Sequence, residues 1–137
     1  EGGETVFIDS TKLVECLETE DQDMLKILKS TDVLHSRSGD TRNAKVINVN
    51  KDKVYLNWNY YCLKRDKEDK VAIFLENFFN YLNNSSLLKR SLIEVRLKAG
   101  DAVIWKDSEV LHGRNSFKSS ITSARHLCKC AVDVGTF

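Results

Sequence analysis

The sequence contains no proline at all. An average chain of this size would carry about 5%. Its turns must therefore come from Gly, Asn, Asp and Ser. Charge of one sign is lacking too. Lys and Arg number 21 against 20 Asp and Glu, a formal net charge of +1. That excludes binding to nucleic acid or an anionic membrane through bulk charge. No apolar run approaches the roughly 20 residues of a membrane span. A secretory leader is not evident either, because the chain opens on Glu1-Gly2-Gly3-Glu4. The four cysteines, Cys16, Cys62, Cys128 and Cys130, are an even number. Yet 137 residues with 42% hydrophobic side chains can build a core without disulfide staples. Reduced thiols and a cytoplasmic setting are expected.

What is there reads as a globular chain, and we expect residues 1–137 to form a single domain. Thr5-Val6-Phe7-Ile8 has strand composition. Asp9, Ser10 or Thr11 can cap a helix carrying Leu13, Val14 and Leu17. A second helix fits Asp21 to Lys29, and strands fit Asp32–His35, Lys45–Val49 and Lys53–Trp58. From about Glu68 to Leu82 apolar residues recur at three and four, which predicts a long helix with one buried face. The mixed cluster from Lys64 to Lys70 reads as a solvated stretch leading into it. Beyond Ser91 the pattern predicts strands around Leu92–Leu97, Ala102–Trp105, Val110–His112 and Arg125–Val132, with a turn at Ala99-Gly100-Asp101. Short strands with helical inserts imply a mainly β sandwich or barrel flanked by helices.

The chemistry-bearing segment lies between Leu97 and Val132. His112 ends a strand just before Gly113, and Arg125 follows 13 residues later. A hairpin of that length can bring an imidazole and a guanidinium to one cavity. Imidazole ligates redox-active divalent metals, and a guanidinium fork suits a carboxylate. The pair fits a metal that holds an organic acid beside it. On a strand, Lys129 would share the face of Arg125. His126, Cys128 and Cys130 alternate on the other face, and can be read as soft metal ligands or as small packed side chains. The run Asn57-Trp58-Asn59-Tyr60-Tyr61 either lines a pocket or packs as core.

These residues resemble the iron(II)- and 2-oxoglutarate-dependent oxygenases of the taurine dioxygenase / γ-butyrobetaine hydroxylase type. Gly2-Gly3-Glu4-Thr5-Val6-Phe7 is similar to the family's Gly-Gly-(Asp/Glu)-Thr strand. Leu56-Asn57-Trp58-Asn59 is similar to its middle strand. Lys98-Ala99-Gly100-Asp101, His112-Gly113-Arg114 and Arg125 follow in the family's order. The resemblance implies a distorted double-stranded β-helix, or jelly roll, incomplete in this chain. It implies His112 as one ligand of a 2-His-1-carboxylate iron site. It implies Arg125 and Thr5 on the distal carboxylate of 2-oxoglutarate, and Lys129 near the metal-side carboxylate or an anionic substrate. The expected function is oxidation, by hydroxylation, of a small amino-acid-like or anionic molecule, with halogenation and desaturation left open.

The family's remaining two ligands form a His-x-Asp or His-x-Glu motif. The histidines here are followed by Ser36-Arg37, Gly113-Arg114 and Leu127-Cys128, so the motif is absent. The chain is therefore expected to be the C-terminal part of such an oxygenase, completed by an N-terminal part or a second chain. The alternative is a non-catalytic jelly-roll binding module. The family's Asp-Asn pair ahead of the histidine reads Lys106-Asp107 here. Neither nucleic acid nor membrane is expected as a partner.

Overall fold

The computed structural model describes residues 2–63, 69–116, 118 and 128–132. Strand β1 (Thr5–Asp9) runs directly into helix α1 (Ser10–Glu20). Asp9 ends the strand and starts the helix, because its carboxylate accepts the backbone N–H of Thr11 at 2.8 Å and of Lys12 at 3.4 Å. Asp21 repeats the device for α2 (Gln22–Ser30), accepting from the Met24 N–H at 2.9 Å. Both helices lie where the apolar spacing puts them.

Two hairpins follow. Strand β2 (Asp32–Arg37) pairs with β3 (Asp40–Lys45), and β4 (Ile47–Asn50) pairs with β5 (Lys53–Leu56), both antiparallel. The first turn is Ser38-Gly39, with φ of 52° and 93°. Two successive left-handed residues match the right-handed twist of a two-residue hairpin. This explains β3, which its sequence does not announce. Asp-Thr-Arg-Asn-Ala-Lys has no apolar alternation and is mostly exposed. The turn and the β2 ladder hold it, not a buried face.

A 3₁₀ turn (Tyr60–Cys62) precedes α3 (Lys70–Asn84), which Asp69 caps at the Val71 N–H, 2.8 Å. A short helix, α4 (Ser86–Arg90), comes next, capped by the Ser85 hydroxyl at the Leu88 N–H, 3.0 Å. Strands β6 (Ile93–Val95) and β7 (Val110–Arg114) flank β1 in a three-stranded antiparallel sheet of order β6-β1-β7. The backbone of Gly3 continues the contact, donating to the Ser116 carbonyl at 3.1 Å.

The core lies between the helices and the β4–β5 hairpin. Leu13, Leu17, Leu28, Val46, Ile47, Leu75, Phe78 and Leu88 are all essentially buried. The aromatic run after β5 packs mainly into this core. Trp58 meets Phe78 edge-on at 4.7 Å and Tyr60 stacks on Phe79 at 3.9 Å, whereas Tyr61 is 88% exposed.

One expected strand is not formed, and the described part of another is not in a strand. Ala102–Trp105 carries no ladder, and Ile104 is 96% exposed. The turn before it is present, with Gly100 at φ 91° and the Asp101 N–H donating to the Lys98 carbonyl at 3.0 Å. Residues 128–132 are likewise outside any strand, so period-two alternation does not govern Lys129. Arg125 and His126 lie outside the described residues. The described part therefore mixes helices with antiparallel sheets, and no closed barrel forms among the described residues. No helix among them is long and apolar enough to cross a membrane.

Candidate functional site

The sheet register brings two of the expected residues together. Phe7 of β1 stands opposite His112 of β7, and Thr5 stands opposite Arg114. Side chains alternate faces along a strand, so Thr5, Phe7, His112 and Arg114 share one face. The other face carries Ile8 and Leu111, which join the core. The candidate site is thus the face of the sheet turned away from the core. Thr5 is buried there despite its hydroxyl.

His112 is held by three neighbours. Its ring lies 5.0 Å from the Trp105 ring, and Trp105 in turn lies 5.3 Å from Phe7. Asp107 Oδ1 stands 3.5 Å from His112 Nδ1 and accepts the Trp105 indole N–H at 3.1 Å. Lys129 Nζ stands 2.9 Å from His112 Nε2 and 5.2 Å from the centre of the Trp105 ring. Burial pushes the His112 pKa below the usual imidazole range. The Lys129 ammonium lowers it further, while Asp107 opposes both. A neutral ring follows at pH 7. Asp107 favours the proton on Nδ1, which leaves the Nε2 lone pair to accept from Lys129.

Gly113 follows His112 and stands opposite Val6. A Cβ built at this position would meet Val6 Cγ2 at 3.3 Å, tighter than ordinary contact. The absent side chain lets β7 lie close to β1 beside the histidine.

Sequence reasoning placed Thr5 and His112 each on a strand, and both are on strands, which the structure pairs as neighbours. It placed Lys129 beside Arg125 on a strand. Lys129 instead reaches His112 from a segment without regular structure, and Arg125 lies outside the described residues. Sequence reasoning missed Trp105 and Asp107 as the groups that orient His112. The signal was available in the carboxylate of the Lys106-Asp107 pair, five residues before the histidine.

The chain matches the model of the family described as "Taurine catabolism dioxygenase TauD, TfdA family" over residues 1–131. It belongs to that family. No curated protein matches it. Members of the TauD family use iron(II) and 2-oxoglutarate, which poses a direct test for the side chains here. His112 fits one position, since a metal-bound histidine commonly directs its second ring nitrogen to a carboxylate. Asp107 occupies that supporting place. The rest does not fit. No group of three His, Cys, Asp or Glu suited to a metal occurs among the described residues. These residues alone do not form the family's metal site.

Proposed function

We propose that this TauD-family chain is the 2-oxoglutarate-binding and single-histidine part of an iron(II)-dependent dioxygenase acting on a small anionic or amino-acid-like substrate. The observation that carries the reading is His112, on the outward face of the sheet, with Nδ1 toward Asp107 and Nε2 toward a cation. Family membership favours this over a non-catalytic binding module.

Bound iron and 2-oxoglutarate supply the oxidising chemistry. The part of the chain is to bind and orient. His112 contributes one metal ligand, and the other two come from an N-terminal part of the protein or from a second chain. Arg125 pairs with the distal carboxylate of 2-oxoglutarate, and Thr5 donates a hydroxyl hydrogen bond to the same group. Lys129 supplies positive charge for a second carboxylate, on the cosubstrate or the substrate. Its described partners are a neutral imidazole and an indole face, so its charge is not neutralised by a carboxylate among the described residues. Phe7 and Trp105 wall the face and limit water. The four free cysteines support a reducing compartment such as the cytoplasm.

The test is succinate formation from 2-oxoglutarate by the complete protein, with anionic, zwitterionic and cationic amino-acid-like substrates compared. Substrate-dependent succinate that disappears in His112→Ala supports the reading. Equal succinate from the parent and His112→Ala removes the histidine from the site.

A further inference from the structure

We infer that Cys128 and Cys130 form a surface dithiol that a small-molecule disulfide oxidises to an internal disulfide, and that closing this bond draws Lys129 off the Trp105 ring. Neither part needs a metal at His112.

Cys128 and Cys130 are free and exposed, so they are not packed as small apolar side chains. Cys16, by contrast, is 2% exposed in the core, and Cys62 is half-buried. A thiol must be reachable to react. The backbone also permits the pair to meet. Cysteines two apart on a strand are held by the ladder at the extended spacing, about 7 Å between Cα atoms. A disulfide takes about 5.5–6 Å. Residues 128–132 are outside any strand, and among the described residues no backbone hydrogen bond ties them down. A bend at the one residue between the cysteines closes the gap.

That residue is Lys129. Its Nζ lies 2.9 Å from His112 Nε2 and 5.2 Å from the centre of the Trp105 ring, within cation–π range. Turning the backbone under Lys129 swings the long side chain that makes both contacts. The thiols thereby set where the cation stands on the outward face of the sheet. Glutathione disulfide is the oxidant, and the exchange balances. One cysteine thiolate attacks a sulfur of glutathione disulfide, forms a mixed disulfide and expels one glutathione thiolate. The second cysteine thiolate attacks the protein sulfur of that bond and expels the other. The two protons lost by the cysteines end on the two glutathiones released. Exposed or strained disulfides are the readily reduced ones, so glutathione reverses the step.

The test uses the complete protein, native and treated with glutathione disulfide. Remaining thiols are alkylated, and the protein is digested with trypsin without reduction. An internal disulfide shields both cysteines from alkylation. It also keeps Cys128 and Cys130 in one species even where trypsin cuts after Lys129. Most chains should give that species, and it should vanish on reduction. Cys130→Ser should stop at a glutathione mixed disulfide on Cys128, and Cys128→Ser at one on Cys130. Both thiols alkylated as in untreated protein, two glutathiones on one chain, or a bridge to any other cysteine overturns the dithiol. The position of Lys129 is read by the proton NOE between its ε-methylene group and the Trp105 indole. The cross-peak should be present in the reduced protein and lost in the oxidised one. A cross-peak that oxidation leaves unchanged, present or absent in both, overturns the displacement.

Discussion

The hydroxyl of Ser10 donates a 2.7 Å hydrogen bond to the backbone carbonyl of Val54, 44 residues away. Ser10 is the first residue of α1, and Val54 lies in the β4–β5 hairpin. Both ends of the bond are buried. One side chain thereby ties the strand-to-helix corner beside the candidate site to a separate hairpin.

Ser10→Ala should cost about 1–3 kcal/mol, because it leaves the Val54 carbonyl buried without that donor. Urea denaturation of the two proteins measures it. The midpoint should fall with little change in slope. A loss well below that range would mean the Val54 carbonyl finds water or another donor.

Phe78 carries the largest fully buried side chain of the core and meets Trp58 edge-on. Phe78→Ala removes that contact and opens a cavity, at a cost of about 3–5 kcal/mol. Phe78→Leu keeps most of the volume and should cost clearly less. Thermal unfolding followed by near-UV circular dichroism should rank them parent, Leu, Ala.

His35 sits in β2, 7% exposed, and its Nε2 has no hydrogen-bond partner among the described residues. Burial depresses its pKa below the ordinary 6.5, and Arg42 across the ladder lowers it further, against the Ala44 backbone. The unfolded state therefore takes up the proton first as pH falls. The stability conferred by the neutral ring is present above pH 6.5 and is lost as pH falls toward the folded-state pKa. His35→Leu should flatten the slope of stability against pH below about 6.5. Some slope should persist, since His112 is shifted in the same direction. An identical slope in parent and variant would mean His35 is protonated in place without penalty.

Arg125→Ala in the complete protein should weaken 2-oxoglutarate binding by about 2–5 kcal/mol, the cost of truncating one partner of a desolvated charge pair. Substrate affinity should change far less. Saturation curves for each ligand separate the two, and an unchanged 2-oxoglutarate curve removes Arg125 from the cosubstrate site.

The parts of the fold with their own local signal were legible. Asp9 and Asp21 before apolar stretches of helical spacing mark two helix starts, and the Val71–Leu82 stripe marks a third helix. Strand β3 was not legible, because it is polar and depends on the Ser38-Gly39 turn and on β2. Ala102–Trp105 misled for the opposite reason. Its β-rich composition describes what the residues tolerate, whereas a strand needs a neighbour, and among the described residues that segment has none. At the candidate site, the strand positions of Thr5 and His112 were legible from composition and motif order. The contact of Lys129 with His112 was not, since it is made by a long side chain reaching from irregular backbone.

Gly113 has a consequence for how this part of the chain can vary. The space it lacks for a side chain is taken by Val6, on the opposite face of the sheet from the His112 ring. Gly113→Ala should therefore be poorly tolerated alone, yet recover when Val6→Ala withdraws the crowding methyl. The two positions are a permissive pair. The freedom of the residue next to the histidine is set by a valine that has no part in the chemistry.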